Sequence, residues 1–264
     1  MIGTIRIVIS VAIILIASLP MAVWQVIALK SNGRIDDGRI PRLWHRLAVK
    51  LLGIRIHVRG APSKARPLLI CSNHISWSDI MVLGSLAEVH FIAKAEVAGW
   101  PVFGLLAKLQ RSVFVERGAR RKAGEQASEI ATRMSNGDPM VLFAEGTTGD
   151  GNTLLPFKST LFGAAQVALS EGRSETVSIQ PVAIAYTRLQ GMPMDRRHRP
   201  HAAWIGDADL MPHLTKLLRE GAMDVEVHFG EPIEFRPGDD RKKVAREVEA
   251  RVKRMFAEAL RNPA

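Results

Sequence analysis

The stretch Asn73-His74-Ile75-Ser76-Trp77-Ser78-Asp79 sets a histidine and a carboxylate five residues apart, shortly after the apolar run Leu68-Leu69-Ile70-Cys71. Such a run is typical of a buried strand, so His74 is expected where the strand leaves the sheet, at the edge where open α/β sheets bind ligands. A carboxylate on one ring nitrogen fixes the tautomer of a histidine and strengthens it as a base. The pair therefore suits deprotonation of a hydroxyl. The alternative is that Asp79 only caps a helix beginning near Ile80.

Three further apolar runs end in polar or turn residues. They are Val113-Phe114-Val115-Glu116-Arg117, Val141-Leu142-Phe143-Ala144-Glu145-Gly146-Thr147-Thr148 and Gln180-Pro181-Val182-Ala183-Ile184. Together with the first stretch, they resemble in order and separation the four blocks of the glycerolipid acyltransferase family, whose best-known members are the 1-acyl-sn-glycerol-3-phosphate acyltransferases. The resemblance covers roughly residues 68–186, and four blocks together are far more specific than any one of them.

The resemblance implies a lysolipid acyltransferase with His74 as the general base and Asp79 as the residue that orients it. It also implies that Arg117 contacts the phosphate of the acceptor and that Glu145 and Gly146 hold its glycerol part. Pro181 closes the block that in the family lies near the acyl chain. The predicted substrate-binding residues are Asn73, Arg117, Glu145, Gly146, Thr147, Lys158 and Pro181.

The third block departs from the family pattern F-P-E-G-T-R at two positions, where this chain has Ala144 and Thr148. A positive charge is therefore missing from the expected acceptor site. Lys158 either replaces that charge or is a surface lysine at the start of the next helix. Residues 146–158 are also similar to the same segment in a bacterial branch of the family. That branch acylates lyso-ornithine lipid, a lipid that has no phosphate. We expect lysophosphatidic acid as the acceptor because Arg117 is present, with lyso-ornithine lipid as the alternative.

The chemistry implied is attack of an acceptor hydroxyl on an acyl thioester, either acyl-CoA or an acyl-carrier protein, without a cofactor. The oxyanion that forms needs N–H donors, and the turn containing Gly146, Gly149 and Gly151 offers them. Phe103 and Phe143 either line an acyl tunnel or belong to the core. A protein of another class, a lipid-binding membrane protein without activity, is the remaining alternative, against which the intact His74 and Asp79 pair argues.

Composition narrows the choice of partners. The 264 residues carry a formal charge of +10, which favours nucleic acid, an anionic membrane surface or an acidic acyl carrier. One tyrosine and the lack of zinc-finger spacing argue against nucleic acid. The single Cys71 excludes an internal disulfide, and the eight histidines show no H-E-x-x-H motif or Cys/His cluster, so we expect no metal site.

The N-terminal segment contains no charged residue from Ile7 to Leu29. About twenty helical residues cross a hydrocarbon layer of ~30 Å, so this segment is long enough to span a bilayer. A helix lying in the interface and a cleaved signal peptide are the alternatives. Arg6 alone precedes the segment, whereas basic residues cluster after it at positions 30, 34, 39, 42 and 46. This asymmetry predicts that the side after Leu29, with the catalytic domain, faces the cytoplasm. Together with the resemblance to a bacterial branch, it makes the bacterial inner membrane the expected location.

A second helix is expected from Pro41, with Leu43, Leu47 and Leu51 recurring every four residues. It either lies on an anionic leaflet or packs on the core. We therefore divide the chain into a membrane-anchoring segment, residues 1–53, and an acyltransferase domain, residues 54–264.

The rest of the chain alternates short strands with helices, which predicts an α/β fold with a mostly parallel sheet of about seven strands flanked by helices. The expected strands are 54–59, 68–72, 90–93, 112–116, 140–144, 179–186 and 225–229. The expected helices are 80–87, 102–109, 120–135, 160–170, 210–219 and 241–260.

Overall fold

The computed structural model describes residues 2–31, 33–116, 120–171, 173–206 and 208–263, without the side chains of residues 2, 120 and 121. Arg117, which the sequence predicts to bind the acceptor, lies outside the described residues. The helices are α1 (Ile2–Lys30), α2 (Arg39–Leu52), α3 (Ser78–Leu86), α4 (Phe103–Leu109), α5 (Arg120–Ser135), α6 (Gly163–Ser170), α7 (Leu210–Glu220) and α8 (Arg241–Arg261). The strands are β1 (Ile54–Arg59), β2 (Leu68–Ser72), β3 (His90–Lys94), β4 (Val113–Val115), β5 (Met140–Phe143), β6 (Val177–Leu189), β7 (Met192–Pro193), β8 (Met223–Phe229) and β9 (Ile233–Phe235).

The strands form one mixed sheet in the order β1-β8-β6-β2-β5-β3-β4, with β7 and β9 paired to β6. The strands from β6 to β4 in this order are parallel to one another. β8 runs antiparallel to β6, and β1 runs parallel to β8. The predicted α/β fold is confirmed. The sheet has two more strands than expected, both of them short.

The centre of the sheet is buried and mostly apolar, as the sequence runs predict. All five residues of β2 and all four of β5 are buried, which is typical of parallel strands covered on both faces. On α8, the buried residues Val244, Val248, Val252 and Phe256 recur every four positions. This stripe packs along β6, so the predicted docking of the last helix is confirmed.

Helix α2 starts at Arg39, two residues before the expected Pro41, and ends where Gly53 takes a left-handed conformation with φ of 73°. It packs on α3 through its buried residues His45, Ala48, Val49 and Leu52. Leu43 is 50 % exposed. The face that packs on α3 is therefore offset from the leucine repeat and includes His45, whose buried partner Gln110 the sequence pattern does not reveal.

Helix α1 is unbroken by Pro20, and its Gly3–Lys30 part is long and apolar enough to cross a membrane by length and composition. One face contacts α2, α4 and α7. In that face Ser10, Gln25 and Ala28 are buried, and the Gln25 amide donates to the carbonyl of Leu109 at 2.9 Å. The opposite face exposes large apolar side chains, with Ile16 75 % and Leu19 71 % accessible.

Candidate active site

The segment that follows β2 is fastened to the sheet by Asn73. Its side-chain amide donates to the carbonyl of Ile184 at 2.9 Å and accepts from the N–H of the same residue at 2.8 Å. Both polar ends of Asn73 are thus occupied by β6, and the residue is 1 % exposed. Asn73 extends the pairing between β2 and β6 and delivers His74 to the carboxyl edge of the sheet. Its predicted contact with substrate stays a prediction.

His74 and Asp79 lie together as the sequence predicts. The Nδ1 of His74 is 2.9 Å from Oδ2 of Asp79, and the two side chains are 16 % and 0 % exposed. Because an ionised carboxylate only accepts hydrogen bonds, Nδ1 carries the proton and donates it to Asp79. The other ring nitrogen, Nε2, therefore keeps its lone pair free to accept a proton from a bound hydroxyl.

Asp79 is not the side-chain cap of α3. Its Oδ2 accepts from the backbone N–H groups of Ile75 at 2.6 Å and Ser76 at 2.9 Å, which precede the helix. The carboxylate therefore shapes the short segment between β2 and α3 and orients the His74 ring at the same time. The alternative of a cap alone does not describe this geometry.

Two residues of this site were missed by the sequence analysis. The hydroxyl of Tyr186 donates to Oδ1 of Asp79 at 2.9 Å, and Oγ of Ser78 lies 2.6 Å from the same phenol oxygen. Burial and the charge of Asp79 raise the pKa of Tyr186 well above its usual range. The available signal was that Tyr186 is the one tyrosine of the chain, two residues after the fourth block.

The face of the His74 ring stacks on Phe143, with ring centroids 3.9 Å apart and an angle of 13° between the planes. Phe143 is the last residue of β5, the strand next to β2 in the sheet. An apolar partner on one face leaves the ring nitrogens as the polar edges of the imidazole. The ring is thus fixed by packing as well as by its bond to Asp79.

Glu145 ties the third block to the first. Its Oε2 accepts from the backbone N–H of His74 at 3.0 Å, and its Oε1 accepts from the N–H of Leu155 at 2.9 Å. Burial is the largest cause that raises the pKa of Glu145 to about 7, and repulsion from Asp79 and Asp150 adds to it. Since the carboxyl is 2 % exposed, its geometry holds the loops of the site in place. The predicted acceptor contact of Glu145 stays a prediction.

The turn after Glu145 contains the other predicted residues of this block. Gly146 has a positive φ of 72°, and a Cβ added there would lie 3.1 Å from Nζ of Lys158, so the lysine folds over the glycine. Thr147 is exposed, whereas the Thr148 hydroxyl donates to the carbonyl of Trp204. The position where the family carries an arginine is therefore closed by a neutral hydrogen bond.

A cavity of about 560 Å³ extends from the His74 ring. One part runs between α1, α2 and α4 and is lined by apolar side chains such as Met21, Trp44 and Leu106. The other part lies at the turn and the segment after residue 203, with Thr147, Thr148 and Trp204 in its wall. Lys94, Glu96 and Asp209 also line this cavity, as do Phe103 and Phe143. The cavity wall therefore combines an apolar part with a second part that carries polar side chains, here called the mouth, and it includes His74.

Two other residues lie away from the cavity wall. Pro181 pairs with Cys71 inside the sheet, and it is buried beside Gly230. The Cys71 side chain is 0 % exposed, and burial raises the pKa of its thiol. A buried neutral thiol is a poor nucleophile, so the geometry gives no support to an acyl-cysteine. Within the described residues, no group of three or more His, Cys, Asp or Glu side chains is arranged to hold a metal ion.

Comparison with known proteins identifies the relatives of this chain. Residues 55–185 match the family model described as Acyltransferase. The chain is 53 % identical to a lyso-ornithine lipid O-acyltransferase of Brucella abortus, covering 98 % of this chain and 97 % of that protein. It is 51 % identical to a protein of the same name from Rhizobium meliloti, covering 84 % and 76 % of the two chains. Its fold is similar to the crystal structure of the 1-acyl-sn-glycerophosphate acyltransferase of Thermotoga maritima, with a TM-score of 0.64, 20 % identity and coverage of 98 % and 97 %.

Proposed function

The chain belongs to the acyltransferase family, and from that membership we propose that it transfers a fatty acyl group from a thioester to the hydroxyl of a lyso-ornithine lipid. The coarser statement is established: the protein is an acyltransferase of the lysolipid type. The observation that carries the catalytic part of the proposal is the bond of 2.9 Å from His74 Nδ1 to Asp79, which leaves Nε2 as the base.

The proposed reaction needs no group beyond the side chains and the two substrates. The acceptor hydroxyl gives its proton to Nε2 of His74 while its oxygen attacks the thioester carbonyl carbon. The tetrahedral oxyanion collapses, the carbon–sulfur bond breaks, and the imidazolium returns the proton to the leaving thiolate. The histidine is neutral again at the end, so one base serves both halves of the reaction. The apolar part of the cavity suits the acyl chain, and the polar mouth suits the head group.

The acceptor is proposed from the relatives and from the charges at the site. The two relatives described above, at 53 % and 51 % identity, carry the lyso-ornithine name. A lyso-ornithine lipid has an ammonium and a carboxylate but no phosphate. In the described part of the chain, three charged lysine and carboxylate side chains line the cavity: Lys94, Glu96 and Asp209. Lys94 pairs with Glu96 at 3.4 Å, which leaves a carboxylate and no free cation among these three. This balance favours an acceptor bearing an ammonium.

Lysophosphatidic acid, the acceptor expected from Arg117, is the second candidate. Its support is Arg117 itself, together with the similar fold of the Thermotoga maritima enzyme. Against it stand Ala144 and Thr148, since the hydroxyl of Thr148 is bound to the Trp204 carbonyl and supplies no charge for a phosphate. Lys158, which lies over Gly146, is a cation beside that turn.

We propose that the enzyme works at the bacterial inner membrane with its catalytic domain in the cytoplasm, where it meets acyl-CoA or acyl-carrier protein. Basic residues follow α1, as the cytoplasmic side of an anchor requires. Packing of one α1 face on α2, α4 and α7 favours an interfacial anchor over a free span. Protease digestion of spheroplasts and of inverted vesicles tests the side: the domain should be cut only in the inverted vesicles.

The acceptor is tested by turnover. Purified full-length enzyme in mixed micelles receives a labelled thioester and either lyso-ornithine lipid or lysophosphatidic acid, in parallel series with acyl-CoA and with acyl-carrier protein. We expect kcat/KM at least about tenfold higher for lyso-ornithine lipid, because a polar site discriminates strongly against a head group that it cannot pair. A preference for the phosphate acceptor contradicts the proposal. Binding of both lipids without turnover indicates the non-catalytic alternative.

A further inference from the structure

We propose that Tyr186 is a positioning residue of the acyl transfer, because its hydroxyl fixes the rotation of the Asp79 carboxylate that orients His74. The inference rests on the proposed role of His74 as the base. It goes beyond the His74 and Asp79 pair by adding a third residue, from strand β6. The geometry of that pair depends on this residue.

The donors to Asp79 are unequally divided between its two oxygens. Oδ2 accepts from His74, Ile75 and Ser76, all within the segment that leaves β2. Oδ1 accepts from Tyr186 at 2.9 Å, and no other donor to it is found in the described part of the chain. Asp79 is fully buried, so this oxygen is not open to bulk solvent. Among the described residues, Tyr186 alone therefore fixes the far oxygen of the carboxylate.

The direction of the hydrogen bonds among Ser78, Tyr186 and Asp79 follows from which of these groups carry a proton. A phenol has one proton, and Asp79 can only accept, so Tyr186 donates to Asp79 and Ser78 donates to the phenol oxygen at 2.6 Å. Ser78 thus donates to Tyr186, and Tyr186 donates to one oxygen of Asp79. His74 donates to the other oxygen of Asp79. Burial and the neighbouring carboxylate keep the Tyr186 phenol protonated by raising its pKa.

The position of Tyr186 is itself rigid. It lies within β6, where it pairs with Val225 of β8. Ile184, two residues earlier on the same strand, binds the Asn73 amide at 2.8 and 2.9 Å. The loop from Asn73 to Asp79 is therefore attached to β6 at both ends. A rigid strand that holds both ends of the loop explains how a short segment keeps the His74 ring in one orientation.

The charged and titratable groups around this network come from the turn after β5, from β6 and from α7. Glu145, two residues after β5, is repelled by Asp79 and by Asp150 of the same turn. Tyr186 approaches from β6. On α7, His213 accepts from the indole of Trp77 at 2.9 Å. Glu145 and Asp150 are unchanged by a substitution at Tyr186, so their influence on the pH profile is common to the wild type and the variant.

The test is the Tyr186→Phe variant of the full-length enzyme in mixed micelles of fixed composition. We expect kcat to fall about tenfold, the usual cost of one lost hydrogen bond to a charged group, with KM for the acceptor unchanged. The acid limb of the pH profile of kcat should move to higher pH. Without the Tyr186 donor, Asp79 attracts the imidazolium more strongly, so His74 stays protonated to higher pH.

Thr187→Val is the matched control. Thr187 is the next residue of β6, is 4 % exposed, and its hydroxyl has no partner in the described structure. Removal of that buried hydroxyl should change neither kcat nor the acid limb. An equal loss in Thr187→Val would show that any change in this strand disturbs the enzyme and would overturn the specific role of Tyr186.

Ser78→Ala provides a second test if Tyr186→Phe does not fold. It removes the donor to the phenol and should lower kcat in the same direction by a smaller factor, about threefold, as the loss of a neutral hydrogen bond does. The double variant should be no slower than Tyr186→Phe. Unchanged kcat and acid limb in the folded variants, or a rise in KM alone, would overturn the inference. Normal turnover in His74→Ala would instead contradict the proposed base.

Discussion

His74 is held at three points: its backbone N–H by Glu145, its Nδ1 by Asp79, and its ring face by Phe143. Each contact comes from a different part of the chain. The first fixes the backbone, the second fixes the tautomer, and the third fixes the plane of the ring. Within the described residues Nε2 has no hydrogen-bond partner, and it is the atom that the proposed reaction uses.

We therefore predict that His74→Ala lowers the transfer rate at least ~100-fold, the lower limit for loss of a general base, and leaves the protein folded and membrane-associated. The matched control is His57→Ala. His57 also lies 2.9 Å from a buried carboxylate, that of Asp224, but on β1 outside the cavity. Its loss should leave turnover close to normal. Equal losses in both variants would contradict a special role for His74.

The pKa of Glu145 predicts a pH dependence of stability. It is raised from 4.5 to about 7 in the folded protein, so between these values the folded state keeps a proton that the unfolded state has lost. Stability therefore falls as pH rises through this window, by about 3 kcal/mol for this group. In Glu145→Gln this contribution to the pH dependence should disappear. Urea unfolding in detergent at pH 5 and pH 8 measures it, and an unchanged difference between the two pH values would contradict the assignment.

At the scale of elements, the contact between α2 and α3 depends on a glycine, whose lack of a side chain leaves room for a ring. Gly84 of α3 lies against the ring of His45, and a Cβ at this position would overlap that ring. His45 is buried and donates from Nε2 to Gln110 at 2.9 Å, and burial lowers its pKa to about 4. The neutral ring thus packs where an alanine would not fit.

Gly84→Ala should reduce the free energy of unfolding by about 1–3 kcal/mol, the usual cost of overpacking. Gly124→Ala is the matched control, because Gly124 lies within helix α5 and a Cβ there meets no atom within 4 Å. That variant should gain up to about 1 kcal/mol from the higher helix propensity of alanine. Thermal or urea unfolding of the two variants decides: destabilisation by both, or by neither, contradicts the packing described.

The elements show where sequence patterns suffice. Apolar runs bounded by turn residues predict β1 and β2 at their observed bounds, and the stripe on α8 predicts its docking face. The docking face of α2 was not predicted, because the leucine repeat left open a helix on the leaflet and a helix packed on the core; Leu43 is exposed while His45 is buried. The apolar pattern of the strands did not predict the antiparallel direction of β8 against β6 either. Both features depend on partners distant in the chain, and periodicity along one element carries no information about them.

At the scale of the whole molecule, the same limit applies to the site. His74 and Asp79 were predictable because a short loop joins them, and their pairing is found. Tyr186 was missed because it reaches Asp79 only after β6 has paired with β2. The cavity could not be read from any local motif, since its wall combines α1, α2, α4 and the segment after residue 203. The catalytic pair was therefore easier to predict from the sequence than the cavity that selects the substrate.

That segment brings a carboxylate to the mouth of the cavity. Thr148 donates to the carbonyl of Trp204, whose indole donates to the carbonyl of Ala208, next to Asp209. Asp209 occupies the cap position of α7, yet its side chain accepts no hydrogen bond from the helix. It also forms no ion pair in the described part of the chain, whereas Glu96, the other carboxylate in the wall, is paired with Lys94. An unpaired carboxylate beside the turn suits the ammonium of an ornithine head group.

We predict that Asp209→Asn raises KM for lyso-ornithine lipid about threefold to fivefold, the range for a partly exposed ion pair, and leaves kcat unchanged. Acetylation of the acceptor's ammonium should weaken binding to the wild type by a similar factor and should not weaken binding to the variant further, because the charge pair is already lost. Glu96→Gln, with a carboxylate already paired, is the control and should show a smaller rise in KM. If the effects of acetylation and of Asp209→Asn simply multiply, the ammonium does not bind at Asp209, and another part of the mouth must select the head group.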